Sequence, residues 1–489
     1  MEKSFSSEKY IKLQSEKIKE RIKMFDNKLY MEFGGKLIDD YHAMRILPGF
    51  EPDIKIRMLE ELKSQLEVIV CINANDIEKN KMRADHKIPY SEEVFRLIEF
   101  LRSKGFTVNN VVITLYNNQQ GIENFRNRLK NINVESYLHT FTKGYPTDVD
   151  TIVSEEGYGA NPYIKTTKPL VVVTAPGPCS GKLATCLSQL YHEYKRGVKA
   201  GYAKFETFPV WDLPLKHPVN VAYEAATADL NDKNMIDYFH LEKYGITSVN
   251  YNRDLEVFPV LKNIINKISG RDIYYSPTDM GVNVIGKCIE NDEGVQIASK
   301  NEIIRRYYKA LNDFKLGTGS YEVCERIKLL MNELSIDSND RKVVKVALDK
   351  KEEKNSHIVA IELNKDVIVT GKKTEFLSPA SSALINALKY FTKIPDEVHL
   401  LAPTVLEPIK KLKEKRLKKI DTALELDEVL ICLSICAVTN PIVDKALKNL
   451  DKLKGCEAHS TYIVSRNDLE IFNNLQVNLT SEADFYENN

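Results

Sequence analysis

Residues 168–196 read KPLVVVTAPGPCSGKLATCLSQLYHEYKR, and this stretch decides the fold. Leu170 to Thr174 is a β-branched run ending in a Pro/Gly-rich loop, and an amphipathic pattern resumes at Leu183, so the order is strand, loop, helix. The loop carries Gly177, Ser180, Gly181 and Lys182. Glycines there let backbone N–H groups turn toward an anion, and the next helix presents its positive end to the same point. Lys182 adds the point charge that a phosphate needs. The spacing is a degenerate P-loop, because Pro176 stands at the first glycine and Leu183 at the magnesium-binding hydroxyl. Phosphate binding survives these departures better than magnesium-dependent hydrolysis. A tight strand-to-helix connection with a solvated lysine is the alternative reading.

Working outward, Val68–Ile72, Val111–Leu115 and Val134–Phe141 read as strands, with helices starting at Ser91 and spanning Ile122–Leu129. Alternation of this kind implies a parallel sheet covered by helices, which the strand at 170 continues. In such a sheet the ligand crevice forms from loops at the carboxyl ends of strands. The loop NANDIEKNKMRADH after the strand at 68 then shares the crevice with Lys182, and Lys81, Arg83, Asp85 and His86 are its chemically interesting members. Lysine and arginine neutralise phosphate, while Asp85 serves as base or metal ligand. The Gly-, Pro- and Tyr-rich segment 144–169 reads as a functional loop.

Upstream, Ile11, Ile18, Ile22, Phe25 and Leu29 form one helical stripe. Downstream, Phe205 to Trp211 is an expected strand that would put Asp212 at a metal-binding position. From Thr227 to Lys354 helical segments follow one another, interrupted by SPTDMGVN at 276–283, where a helix cap is the simplest reading and Asp279 and Asn283 are possible site contributors. HIVAIEL and DVIVTG form a hairpin, Ser378-Pro379 starts a helix, and EVHLLA is a further strand. The expected architecture is therefore α/β and multi-domain. It comprises a parallel-sheet phosphate-binding-like domain at 1–226, a mostly helical domain at 227–355 and a two-layer C-terminal α/β domain at 356–489.

Composition narrows the functional classes. Lys+Arg and Asp+Glu are both 69, so no whole-protein field favours nucleic acid or an anionic membrane. The first thirty residues are too charged for a signal peptide, and no apolar run reaches a membrane-spanning length, so a cytoplasmic protein is expected. Eight cysteines without a C-x-x-C pair imply reduced thiols. His192-Glu193 begins a zincin-like motif, but Arg196 replaces its second histidine. Cys456 and His459 are a conceivable nucleophile pair, yet in a strand they point to opposite faces. The basic run 410–419 spreads around a helix and reads as solvated.

The motifs KMRADHKIPY, GYPTDVDTIVSEEGYGANPYI, APGPCSGKLATCLSQLYHEYKRGVKAGYAKFETFPVWDLPLKHPVN, YEAATADLND, SPTDMGVN and GCEAHST resemble those of a bacterial family described as domain of unknown function 1846. The resemblance covers roughly residues 5–485. It implies a cytosolic protein with an α/β first domain, a helical region and a C-terminal α/β domain, and it supplies no substrate. It also implies APGPGSGK at the loop, so Cys179 replaces a glycine, and WNLP in place of Trp211-Asp212-Leu213-Pro214. Sequence thus points to a binder of a phosphorylated small molecule or nucleotide, either an enzyme acting on it or a non-catalytic sensor or assembly protein. Amphipathic helices fit a homo-oligomer, and no cofactor is specified.

Overall fold

The structure is a computed structural model that describes residues 3–38, 40–83, 87–364 and 367–486. Two compact units divide the chain between Ser299 and Lys300.

The first unit is built on a seven-stranded sheet. Its strands are β1 (Leu29–Phe33), β2 (Leu66–Asn73), β3 (Thr107–Thr114), β4 (Glu135–Leu138), β5 (Leu170–Thr174), β6 (Gly201–Phe205) and β7 (Gly281–Val282). The spatial order is β7-β6-β1-β5-β2-β3-β4, and every pairing is parallel. The central strands are apolar on both faces, as a sheet covered on both sides requires; all five residues of β5 are buried. The main helices are α1 (Ser7–Lys23), α2 (Tyr41–Ile46), α3 (Ile54–Glu60), α4 (Tyr90–Ser103), α5 (Ile122–Asn131), α6 (Lys182–Lys195) and α7 (Asn252–Ser269). Val94, Leu97, Ile98 and Leu101 form the buried face of α4, as their spacing predicts.

Three expectations for the first unit need correction. Leu29 does not extend the first helix. Helix α1 ends at Lys23, and Leu29 opens the central strand β1, pairing with Leu170 on one side and Gly201 on the other. The stripe of large aliphatic residues at 11–29 carries no mark of the break, which lies in a turn where Asp26 and Asn27 adopt left-handed backbone. The strand expected at Phe205–Trp211 lies earlier, at Gly201–Phe205, and Asp212 falls in a turn against Gly286. Pro209 lacks the N–H that a ladder needs. Residues 234–282 contain strand as well as helix: Asn234–Ile236 pairs with Val249–Tyr251, and β7 joins the main sheet.

The second unit carries a four-stranded mixed sheet of β8 (Ile358–Asn364), β9 (Val367–Lys372), β10 (Glu457–Ser460) and β11 (Asn478–Ser481), in the order β9-β8-β10-β11. The expected hairpin is β8–β9. Helices cover both faces where two layers were expected. Ile358 and Ala360 pack with Ala347 of α8 (Lys342–Lys354), while the alternate residues Val359 and Ile361 pack with Ala380, Ala383 and Leu384 of α9 (Pro379–Thr392). Ser378 caps α9 with Pro379 in its first turn. EVHLLA forms no strand: Pro395 and Pro403 bracket it, and Leu400 and Leu401 instead plug the core from a loop.

Candidate functional site

The order of the sheet creates a switch point at its centre. The chain leaves β1 for β2 on one side and leaves the adjacent β5 for β6 on the other. Connections that leave adjacent strands in opposite directions lie on opposite faces of an open parallel sheet, and ligands of such sheets bind at the carboxyl edge beside them. The loop after β5 is the Gly-rich turn 175–181.

That turn is held in shape from three sides. The Thr114 hydroxyl donates to the Ser180 carbonyl at 2.9 Å, and the buried Ser180 hydroxyl donates to the Gly177 carbonyl at 2.5 Å. The Asn73 amide donates to the Cys179 carbonyl at 3.4 Å. Gly181 has φ +77° and a Cβ there would sit 2.8 Å from Thr114 carbons, so both backbone and space require glycine. Cys179 has φ +55°, the conformation for which the implied family glycine is suited. Gly181 precedes α6 without any side-chain cap, and among the described residues the amides of Gly181 to Ala184 find no acceptor in the protein. Lys182, half-buried at the head of α6, makes no hydrogen bond or ion pair among the described residues.

The neighbouring loop reaches this turn through Tyr90. A methyl group on Gly177 would lie 2.6–2.7 Å from the Tyr90 ring and hydroxyl, and Lys81 Nζ lies 5.2 Å from the centroid of the same ring. Lys81 is also 3.3 Å from Asp76. Arg83 bonds the fully buried Glu93, which also takes two hydrogen bonds from Arg96 at 2.7 and 2.8 Å. Arg83 therefore anchors the loop to α4. Asp85 and His86 lie outside the described residues.

Sequence reasoning missed an acidic cluster around Lys204 at the carboxyl ends of β1 and β6. Glu32 on β1 and Lys204 on β6 are register partners, and Tyr202 donates to Glu32 at 2.8 Å. Lys204 lies between Asp254, at 2.8 and 2.9 Å, and Glu206, at 2.6 Å. Burial, reinforced by Asp254 and Glu32, pushes the Glu206 carboxyl up to about 7 against the pull of Lys204. Lys204 itself is held well above the usual lysine range: burial works against its charge, and the surrounding carboxylates outweigh it. Glu32 and Lys182 act in opposite senses on the buried Cys71 and Cys186 thiols; burial dominates and pushes Cys71 up to about 12. No spacing rule marks isolated acids near strand ends, and β1 itself was hidden in an apparent helix.

Other candidates have structural partners. His192 meets the Asn161 carbonyl at 2.7 Å, and Glu193 accepts from Tyr30 at 2.7 Å and Tyr163 at 3.1 Å, so this pair clasps segment 158–166 to α6 and β1. Asp279 accepts from Tyr244, and Asn283 donates to the carbonyls of Thr207 and Pro209. Ser276 caps the short helix Pro277–Met280, the simple cap that the sequence favoured. The Cys456 thiol donates to the Lys452 carbonyl, whereas His459 meets Thr480 and Glu482. Among the described residues no three His, Cys, Asp or Glu side chains are grouped to hold a metal, and no helix is long and apolar enough to cross a membrane.

Two family models cover the chain: Domain of unknown function DUF1846, N-terminal, over residues 3–335, and its C-terminal counterpart over residues 339–489. The chain belongs to the DUF1846 family. It is similar to a UPF0371 protein of Fusobacterium nucleatum, with 53% identity over 498 residues, 99% of this chain and 98% of the relative. UPF0371 proteins of Clostridium botulinum type A and Clostridium tetani are each 53% identical, over 490 and 494 residues. The botulinum match covers 98% of this chain and 97% of the relative, and the tetani match 99% and 98%.

Proposed function

We propose that this DUF1846 protein binds a phosphorylated small molecule or nucleotide at the turn 175–182, with the phosphate seated on the α6 amides and Lys182. The observation that carries this reading is Lys182 together with those amides: one ammonium and four N–H groups at the head of α6 have no partner among the described residues. Lys81, steered by Tyr90, supplies a second positive charge, and Arg83 fixes the loop that presents it. Gly177, Ser180 and Gly181 shape the cradle.

A catalytic reading is favoured by Glu206. A buried carboxyl titrating near neutrality beside a lysine suits proton transfer to or from a bound ligand. Turnover distinguishes this enzyme from a non-catalytic sensor.

The test is a thermal-shift screen of nucleotides, sugar phosphates and inorganic phosphate, with and without magnesium. A ligand of the folded state raises the melting temperature. Lys182→Ala weakens that ligand by about 1–3 kcal/mol, the range for losing a charged hydrogen-bond partner, and leaves the unliganded melting temperature nearly unchanged. Affinity unaltered by Lys182→Ala overturns the assignment. Any ligand so found is then incubated with wild type and Glu206→Gln; product formed only by wild type supports the enzyme.

A further inference from the structure

The second unit holds a cavity of about 400 Å³ at the free edge of β9, between α8 and α9. Its charged lining is of one sign. Lys350 and Lys354 reach it from α8, Lys372 from β9 and Lys389 from α9, with His399 beside them, and no Asp or Glu lines it. Two of these cations are partly offset: Lys350 and Lys354 both pair with Glu353, at 2.5 and 2.7 Å. Lys372 is exposed and has no side-chain partner among the described residues.

Lys389 is the telling member. It is 7% exposed, and its ammonium donates to one backbone carbonyl, that of Asp396 at 2.8 Å, with no carboxylate paired to it among the described residues. A buried ammonium carries three donors and needs a counter-charge; one neutral acceptor leaves it under-satisfied. Ser382, on the same helix and also lining the cavity, has a buried hydroxyl with no partner. Two polar groups, each more than nine-tenths buried, thus stand at the wall of a cationic cavity with hydrogen-bonding capacity unused. Asp396 lines the adjoining hollow with Lys393 and is not among the residues lining the first cavity.

We infer that this cavity is a second ligand site, independent of the turn at Lys182, for a compact polyanion of two or more negative groups such as a phosphorylated metabolite. Lys389 and Ser382 grip the buried anionic group while Lys372 and Lys354 neutralise the outer one. The volume admits a small molecule, which excludes a nucleic-acid strand from the interior.

Pyrophosphate is the probe, titrated by calorimetry into the full chain at constant ionic strength. Wild type binds. The exposed pair Lys354→Ala with Lys372→Ala weakens binding at least tenfold without lowering the unliganded melting temperature, and Lys389→Met abolishes it. Lys182→Ala with the second unit intact leaves this binding event in place, so failure here and failure of the first-unit site are separately visible. Absence of binding to wild type, unchanged affinity in the double variant, or loss of all binding in Lys182→Ala each overturns the proposal.

Discussion

At the scale of single residues, the turn at 175–181 pays a conformational cost at Cys179. Its φ of +55° is strained for a residue with a Cβ, by about 1–2 kcal/mol, and its side chain is exposed and contributes no packing. Glycine relieves the strain but loses about 0.5–1 kcal/mol to unfolded-state entropy. Cys179→Gly is therefore expected to stabilise the protein by about 0.5–1 kcal/mol in chemical denaturation while leaving ligand affinity at Lys182 unchanged. A destabilised Cys179→Gly would show that the thiol has a role the geometry does not contain. Gly181 and Lys182 were legible in sequence because turn chemistry is local. Glu32, Lys204, Glu206 and Asp254 were not, because their meeting depends on which strands become neighbours.

Among the elements, β9 lies close against α9 at Gly371. A Cβ on Gly371 would lie 2.1 Å from the Ala383 amide nitrogen and 2.4 Å from the Pro379 carbonyl oxygen. Backbone cannot yield as a side-chain tip does, so Gly371→Ala must displace the helix from the sheet. The expected cost is about 1–3 kcal/mol, seen as a lower urea midpoint with an unchanged slope. Unaltered stability would mean that the contact is looser than described. The strands at β2, β3, β5 and the β8–β9 hairpin were readable because each is an apolar run bounded by breakers. β1 was not: its first residue, Leu29, continued the apolar spacing of the helix before it across the turn at Asp26 and Asn27, and only pairing with Leu170 and Gly201 reveals it. EVHLLA failed in the opposite way, having strand composition but settling as a loop between Pro395 and Pro403.

For the whole molecule, two buried carboxyls give stability a distinctive pH dependence. Glu206 in the first unit and Asp468 in the second are both pushed up to about 7, chiefly by burial. A carboxyl raised in the folded state holds its proton there more tightly than in the unfolded chain. Its contribution is fully present below the ordinary carboxylate range and is lost as pH rises through about 7. These two groups accordingly contribute a fall in stability between about pH 5 and pH 8, opposed at its lower end by the buried His139, which burial lowers to about 4, and Glu206→Gln and Asp468→Asn should each remove its share of that fall. Melting temperatures of wild type and the two variants measured across this interval check it; a pH slope untouched by either change contradicts the assignment.

The central position of β1 bears on how the chain is made. Its partners β5 and β6 leave the ribosome only about 140 to 170 residues later, which at roughly 5–20 residues per second leaves the first strand waiting on the order of ten to thirty seconds. During that interval an apolar strand with both edges bare is a template for aggregation. Nascent chains stalled before residue 205 should therefore recruit holdase chaperones, and release from them should coincide with emergence of Gly201–Phe205.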